Sequence, residues 1–217
     1  MDKKYLTNRQ KKALETRKKI YESAEYLFNL KGSDEFNVDD IVKLAKVAKG
    51  SFYVHFKSKD EIIALLINDH VKKIDTDYQE YLNSLPPDMP ISEVFLAFIG
   101  KIADVLTEAI GYEKMRNLYR ASLAKDGKSN AVIDYNRELY IMFENLIEKG
   151  INEGAFRPDF SPEELAKHFV TAYRGLVFQW CILYPNMDLK EQAIQHFKIL
   201  LLGISNNVLQ ADQNFKD

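Results

Sequence analysis

Cysteine is nearly missing from this chain. Cys181 is the single one among 217 residues, so no internal disulfide can form and a disulfide-stapled secreted fold is excluded. The four histidines, His55, His70, His168 and His196, lack metal-ligand spacing and have no cysteine pair beside them. No apolar run comes near the roughly 18 residues that cross a bilayer. The start, Met1-Asp2-Lys3-Lys4-Tyr5, is polar with no apolar signal core behind it. These absences predict a cytoplasmic chain with no membrane partner, no metal and no cofactor. There is also no nucleophile elbow and no phosphate-cradling glycine loop, so an enzyme is not expected. Alternating apolar-polar runs, internal repeats and low-complexity tracts are missing too, which argues against a sheet or a solenoid.

What is present is helical periodicity. With 46% hydrophobic residues the chain can bury a real core, and its apolar positions recur at helical spacing nearly throughout. The expected class is all-α, with about nine helices. Thr7 and Gln10 have capping-box spacing, with Thr16 an alternative start, and Gly32 closes the first helix. Ser58 and Glu61 repeat the box ahead of a helix that runs to Leu85, where Pro86, Pro87 and Pro90 break the chain. Further helices are expected from Ile91 or Ser92, over 114–124 and over 129–153. Ser161-Pro162-Glu163-Glu164 opens the next, with a capping serine and proline at the first helical position. Asp188 with Glu191 caps the last. The division is placed at residues 1–57 and 58–217, with 58–85 as the connecting helix.

Charge divides the same way. Residues 1–60 hold 14 Lys+Arg against 9 Asp+Glu, whereas the remainder is acidic. A basic front on an acidic body is the footprint of a polyanion-binding module, although clustered solvated lysines would look alike. Lys11, Lys12, Arg17, Lys18 and Lys19 read as a solvated face from which one or two side chains touch backbone phosphate.

Residues 37–59 carry the sharpest signal. Asn37 suits the cap of a short helix whose Val38, Ile41 and Ala45 face inward. Lys46-Val47 makes a turn, and a second helix spans about 49–56. Phe52 and Phe56, four apart, anchor that helix, leaving Ser51, Val54 and His55 outward with Tyr53 at the edge. Lysine and serine suit phosphates and base edges, which is the layout of a helix-turn-helix with its second helix in the DNA major groove.

Residues 16–67 resemble the DNA-binding domain of the tetracycline-repressor (TetR) family of bacterial regulators. The resemblance rests on Ile20, Ala24, Phe28, Gly32, Val38, Ile41, Ala45, Val47 and the stretch Gly-Ser-Phe-Tyr-Val-His-Phe-Lys-Ser-Lys at 50–59. Glu153-Gly154-Ala155-Phe156-Arg157-Pro158-Asp159 is a looser likeness. The resemblance implies a homodimer that binds a double-stranded DNA operator and a small-molecule effector, and dimerises through its last two helices. It places Lys49, Gly50, Ser51 and Val54 at base-facing positions, and Asn37, Tyr53, His55 and Lys59 at phosphate-facing ones. Two residues depart from the family pattern: Lys46 where the turn usually has glycine, and Ala48 where serine or threonine often caps the recognition helix. Repression with ligand-induced release is the expected function. The alternatives are a body that answers a protein partner or nothing, and a non-DNA helical protein that binds small molecules.

In the body, aromatics at helical spacing read first as core. Tyr119, Arg120, Tyr140, Phe143, His168, Tyr173 and Trp180 are candidates to line a pocket for a hydrophobic or aromatic ligand. Leu165, Phe169, Ala172, Leu176, Ile194, Phe197, Leu201 and Ile204 are candidates for a four-helix dimer interface, with packing inside one subunit as the alternative.

Overall fold

Every element that the computed structural model assigns is helical apart from one isolated bridge, Phe156 to Ser205. It describes residues 7–32, 35–124 and 137–206, without the side chains of 117 and 120–124. Nine α-helices occur among the described residues: α1 Asn8–Lys31, α2 Val38–Ala45, α3 Lys49–His55, α4 Lys59–Ser84, α5 Ile91–Asp104, α6 Tyr112–Ala124, α7 Glu138–Asn152, α8 Pro162–Leu183 and α9 Leu189–Ile204. The bounds fall within a few residues of those read from capping and periodicity. The exception is the expected start of α7 near 129, which lies outside the described residues. One feature has no sequence signature: Val105–Ile110 continues α5 as a π-helix and ends at Gly111, with φ 81°.

The helix starts follow their capping chemistry. Thr7 with Gln10, Asn37 with Asp40 and Ser161 with Glu164 form reciprocal capping boxes, and Pro162 occupies the first turn of α8. The Ser58 hydroxyl accepts from the Glu61 N–H at 3.1 Å, but the Glu61 carboxylate turns to the Lys57 N–H instead of closing the box. The Asp188 side chain accepts from the Glu191 N–H at 2.9 Å and starts α9.

Contacts divide the chain into two compact units, Met1–Val71 and Lys72–Asp217. The division lies beyond the 57/58 boundary placed from sequence because Ile62, Ile63 and Leu66, at the start of α4, belong to the core of the first unit. That core also holds Ile20, Ala24, Leu27, Phe36, Ile41, Phe52 and Phe56. Between α2 and α3, Lys46 adopts left-handed backbone, φ 54° and ψ 47°, the lone positive-φ non-glycine among the described residues. A side chain there costs roughly 1–2 kcal/mol. Ala48 stands at the cap of α3 and makes no side-chain cap bond.

The second unit is built on aromatic contacts. Phe95 of α5 meets Phe143 of α7 at 5.5 Å and Phe169 of α8 at 5.3 Å between ring centroids, and Phe169 meets Phe197 of α9 at 5.7 Å. One ion pair is buried beside this core. The Arg137 guanidinium donates from Nε and Nη2 to both oxygens of Asp75, at 2.7–3.1 Å, tying α4 to the start of α7. Asp75 is 3% exposed.

Removing one partner strands the other charge in a poorly hydrated site, so Asp75→Ala is expected to destabilise the protein by about 3–5 kcal/mol in urea titrations. Ala48→Ser restores a hydroxyl cap to α3 and is expected to stabilise the first unit by about 1 kcal/mol in the same assay.

Candidate nucleic-acid interface

A seven-residue helix is too short to hold itself together in water, and α3 is held by what it buries. Phe52 is fully buried and Phe56 nearly so, with their rings 5.7 Å apart. The Arg17 guanidinium of α1 sits 5.0 Å from the Phe56 ring centroid, a cation–π contact across the head. With those two phenylalanines inward, the opposite face is solvent-facing. Val54 is 78% exposed and Tyr53 54%, while Lys49 and Gly50 are exposed and Ser51 and His55 half-buried. All four expected base-facing residues therefore lie on accessible surface. Tyr53 is not core: it touches Phe52 only ring-edge to ring, at 5.3 Å.

Two of the expected phosphate-facing residues, Asn37 and Lys59, are already engaged within the head. The Asn37 side-chain oxygen accepts from the Asp40 N–H at 3.1 Å, so its local task is to start α2. The Lys59 ammonium donates to the Phe36 carbonyl at 2.9 Å and lies 5.3 Å from the Phe36 ring centroid. Lys59 thus fastens the start of α4 to the residue before Asn37. At the start of α3, the Lys49 ammonium lies 2.8 Å from one Asp39 oxygen and 2.9 Å from the other. This bond raises the Lys49 pKa, so the amine stays charged. Periodicity had no means of finding the pair, since it links two helices across ten residues of sequence. A second polar link stabilises the head: Tyr21 of α1 donates to Asp69 of α4 at 2.8 Å. Burial and this hydrogen bond both push the Tyr21 phenol up, so it keeps its donor proton.

Most of the candidate effector residues pack into the body's core. Tyr140, Phe143, Tyr173 and Trp180 are buried core. The Tyr173 hydroxyl donates to the Ile99 carbonyl at 3.3 Å, and burial raises its pKa well above the usual phenol value. Tyr119 is partly buried, edges onto Phe178 at 5.6 Å and donates to the Arg174 carbonyl at 3.1 Å. Burial pushes its pKa up to about 12. His168 is exposed, so it lines nothing in the body's interior. The Arg120 side chain lies outside the described residues.

Five of the eight candidate interface residues turn into the subunit's own core. Leu165, Phe169, Phe197, Leu201 and Ile204 are at most 9% exposed and pack inside the subunit, with Ala172 and Leu176 partly buried against them and Ile194 half-buried. The apolar stripe marked the face toward the subunit's own core. Apolar side chains of the same two helices that remain outside include Phe178, Ile182, Ile199 and Leu202, at 45%, 65%, 68% and 62% exposure.

Comparison with known proteins agrees with this arrangement. The sequence model of the tetR family of bacterial regulatory proteins matches residues 20–66, from the middle of α1 to the start of α4. The transcriptional repressor KstR2 of Mycolicibacterium smegmatis is 23% identical over 192 residues, which cover 88% of this chain and 91% of that protein. A TetR-family regulator from Pectobacterium atrosepticum superposes with a TM-score of 0.70 at 20% identity, covering 93% of this chain and 98% of its own. The TetR-family repressor FadR of Thermus thermophilus, solved in complex with lauroyl-CoA, superposes with a TM-score of 0.64 at 20% identity, covering 86% and 93%. Residues 20–66 thus match the tetR family of bacterial regulatory proteins, and the similarity that extends over most of the chain supports a DNA-binding transcription regulator of that kind.

Proposed function

We propose that the protein is a homodimeric repressor that reads a roughly palindromic operator with α3 and leaves it when a small hydrophobic ligand binds the body. The observation that carries the DNA half is the division of α3 into a buried Phe52–Phe56 face and an outward face of exposed Lys49, Gly50 and Val54 with half-buried Ser51. On that face Lys49 addresses guanine acceptors and Val54 offers an apolar contact to a thymine methyl. Gly50 has no side chain to hold the backbone away from DNA. Tyr53 and His55 flank the base-facing residues and meet phosphate. Asn37 and Lys59 join them at the margin, where their internal hydrogen bonds keep the reading surface in register.

Two such heads must be joined at a spacing of one helical turn, ~34 Å, to enter successive major grooves. The exposed apolar side chains Phe178, Ile182, Ile199 and Leu202 supply the surface for that joining. In a C2 dimer two α8–α9 pairs make a four-helix interface in which the same patch meets itself. The ligand half is supported by the aromatic body and by the fold shared with a FadR solved with lauroyl-CoA. An acyl chain or aromatic of similar apolarity shifts the population only by its differential affinity for the DNA-incompetent state. The close packing of Tyr140, Phe143, Tyr173 and Trp180 favours a second reading, in which the body answers a protein partner.

Fluorescence anisotropy tests the first reading, using DNA from upstream of the gene and a scrambled duplex at physiological salt. A preference of at least ~1000-fold supports it, and loss of that binding on adding fatty acids, acyl-CoA thioesters or hydrophobic aromatics supports the ligand half. Equal, salt-sensitive binding to both duplexes contradicts it.

Lys49→Ala is expected to leave the unfolding midpoint in place and to relax preference at one base pair by roughly 1–3 kcal/mol, read from a panel of point-substituted duplexes. Leu202→Glu buries like charges against each other in the assembled interface. Sedimentation is expected to show a folded monomer, and an unchanged dimer would place the interface elsewhere.

A further inference from the structure

The acid facing the reading surface calls for an explanation that capping does not give. Asp39 lies in the first turn of α2, but the capping box there is closed by Asn37 and Asp40, whose side chains exchange hydrogen bonds with each other's N–H groups. Asp39 makes neither bond. Its carboxylate instead straddles the Lys49 ammonium, with both oxygens within 2.9 Å. The two side chains stay 66% and 53% exposed, so the pair is open to whatever approaches α3. A carboxylate at this position repels phosphate, and it also occupies the cation nearest the start of the reading helix.

We propose that Asp39 is a specificity-determining residue: it holds the Lys49 ammonium in an ion pair that a matched pair of base acceptors displaces and a lone phosphate does not. The inference rests on the reading of α3 as the base-facing element. On arbitrary DNA, moving Lys49 to a phosphate oxygen gains one contact and leaves Asp39 uncompensated in a field of negative charge. Lys49 therefore stays on Asp39 and contributes little to sequence-independent affinity. At the right sequence, guanine N7 and O6 together offer the ammonium two acceptors, worth roughly 5- to 150-fold in discrimination. Asp39 lowers binding to all DNA but lowers it least where Lys49 finds those acceptors. The ratio of specific to non-specific affinity rises as a result.

The test uses the full-length protein and a duplex enriched from a random library by the wild-type protein, with a scrambled duplex as reference. Asp39→Asn keeps the size of the side chain and removes the charge. It is expected to raise affinity for the scrambled duplex about fivefold at physiological salt and to steepen the salt dependence by about one counterion. The specificity ratio should fall at least threefold. In a Lys49→Ala background the same substitution should leave that ratio within twofold. Asp39→Ser and thermal unfolding midpoints guard against an effect of misfolding. An unchanged ratio in the single variant overturns the proposal, as does an equal fall in the Lys49→Ala background, which would mean that Asp39 acts alone. A wild-type protein that enriches no sequence contradicts the base-reading assignment itself and takes the proposal with it.

Discussion

Burial of Phe52 is the constraint on which the recognition surface depends. A helix of seven residues, Lys49–His55, gains little from its own hydrogen bonds and cannot persist without an anchor. Phe52 supplies one from inside the cluster of Ile20, Ile41, Ala45 and Ile62, and Phe56 adds a second beneath Arg17. Once that face is committed, helical geometry leaves Lys49, Val54 and Tyr53 outside, so the surface offered to a partner is what remains after the anchor is placed. The head tolerates two local faults for the same reason. The left-handed Lys46 and the uncapped Ala48 each cost on the order of 1 kcal/mol. The buried phenylalanines offset both, since burying one such side chain contributes roughly 1.5–3 kcal/mol.

The body follows the same division between an apolar face that is consumed inward and a remainder that is left outside. Phe95, Phe143, Phe169 and Phe197 interlock across four helices. The Asp75–Arg137 pair then fixes the second half of α4 against the start of α7. An ion pair this buried contributes little net stability against an apolar replacement, although losing either partner strands the other charge. α4 itself runs unbroken from Lys59 to Ser84 and contributes Ile62, Ile63 and Leu66 to one core and Ile74 and Tyr78 to the other.

Features that depend on neighbours in sequence were legible before any coordinates. The caps at Thr7, Asn37, Ser161 and Asp188 are local hydrogen-bond patterns, and the structure contains each of them. The strain at Lys46 and the missing cap at Ala48 were legible only through the family resemblance, which puts glycine in that turn and serine or threonine at that cap. Other features had no local signature. Periodicity reports that a stripe is buried but not what buries it, so Phe169 and Phe197 read as interface or as subunit core alike, while the exposed Ile199 and Leu202 went unnamed. The bond from the Lys59 ammonium to the Phe36 carbonyl, 23 residues away, had no such signature either. The Asp39–Lys49 and Asp75–Arg137 pairs join helices distant in sequence, and charged residues are too common for such pairing to be inferred from order alone.

The central claim is that the outward face of α3, posed by a fixed Phe52, is where DNA is read. Titrating isotopically labelled protein with an operator duplex and following its backbone amides by transverse-relaxation-optimised NMR tests this most directly. The account predicts large shifts confined to residues 37–59, strongest at Lys49, Gly50, Ser51 and Val54, with the Ile20 and Ile62 amides nearly still. Shifts concentrated instead on Phe178, Ile182, Ile199 and Leu202, with α3 unmoved, would contradict it.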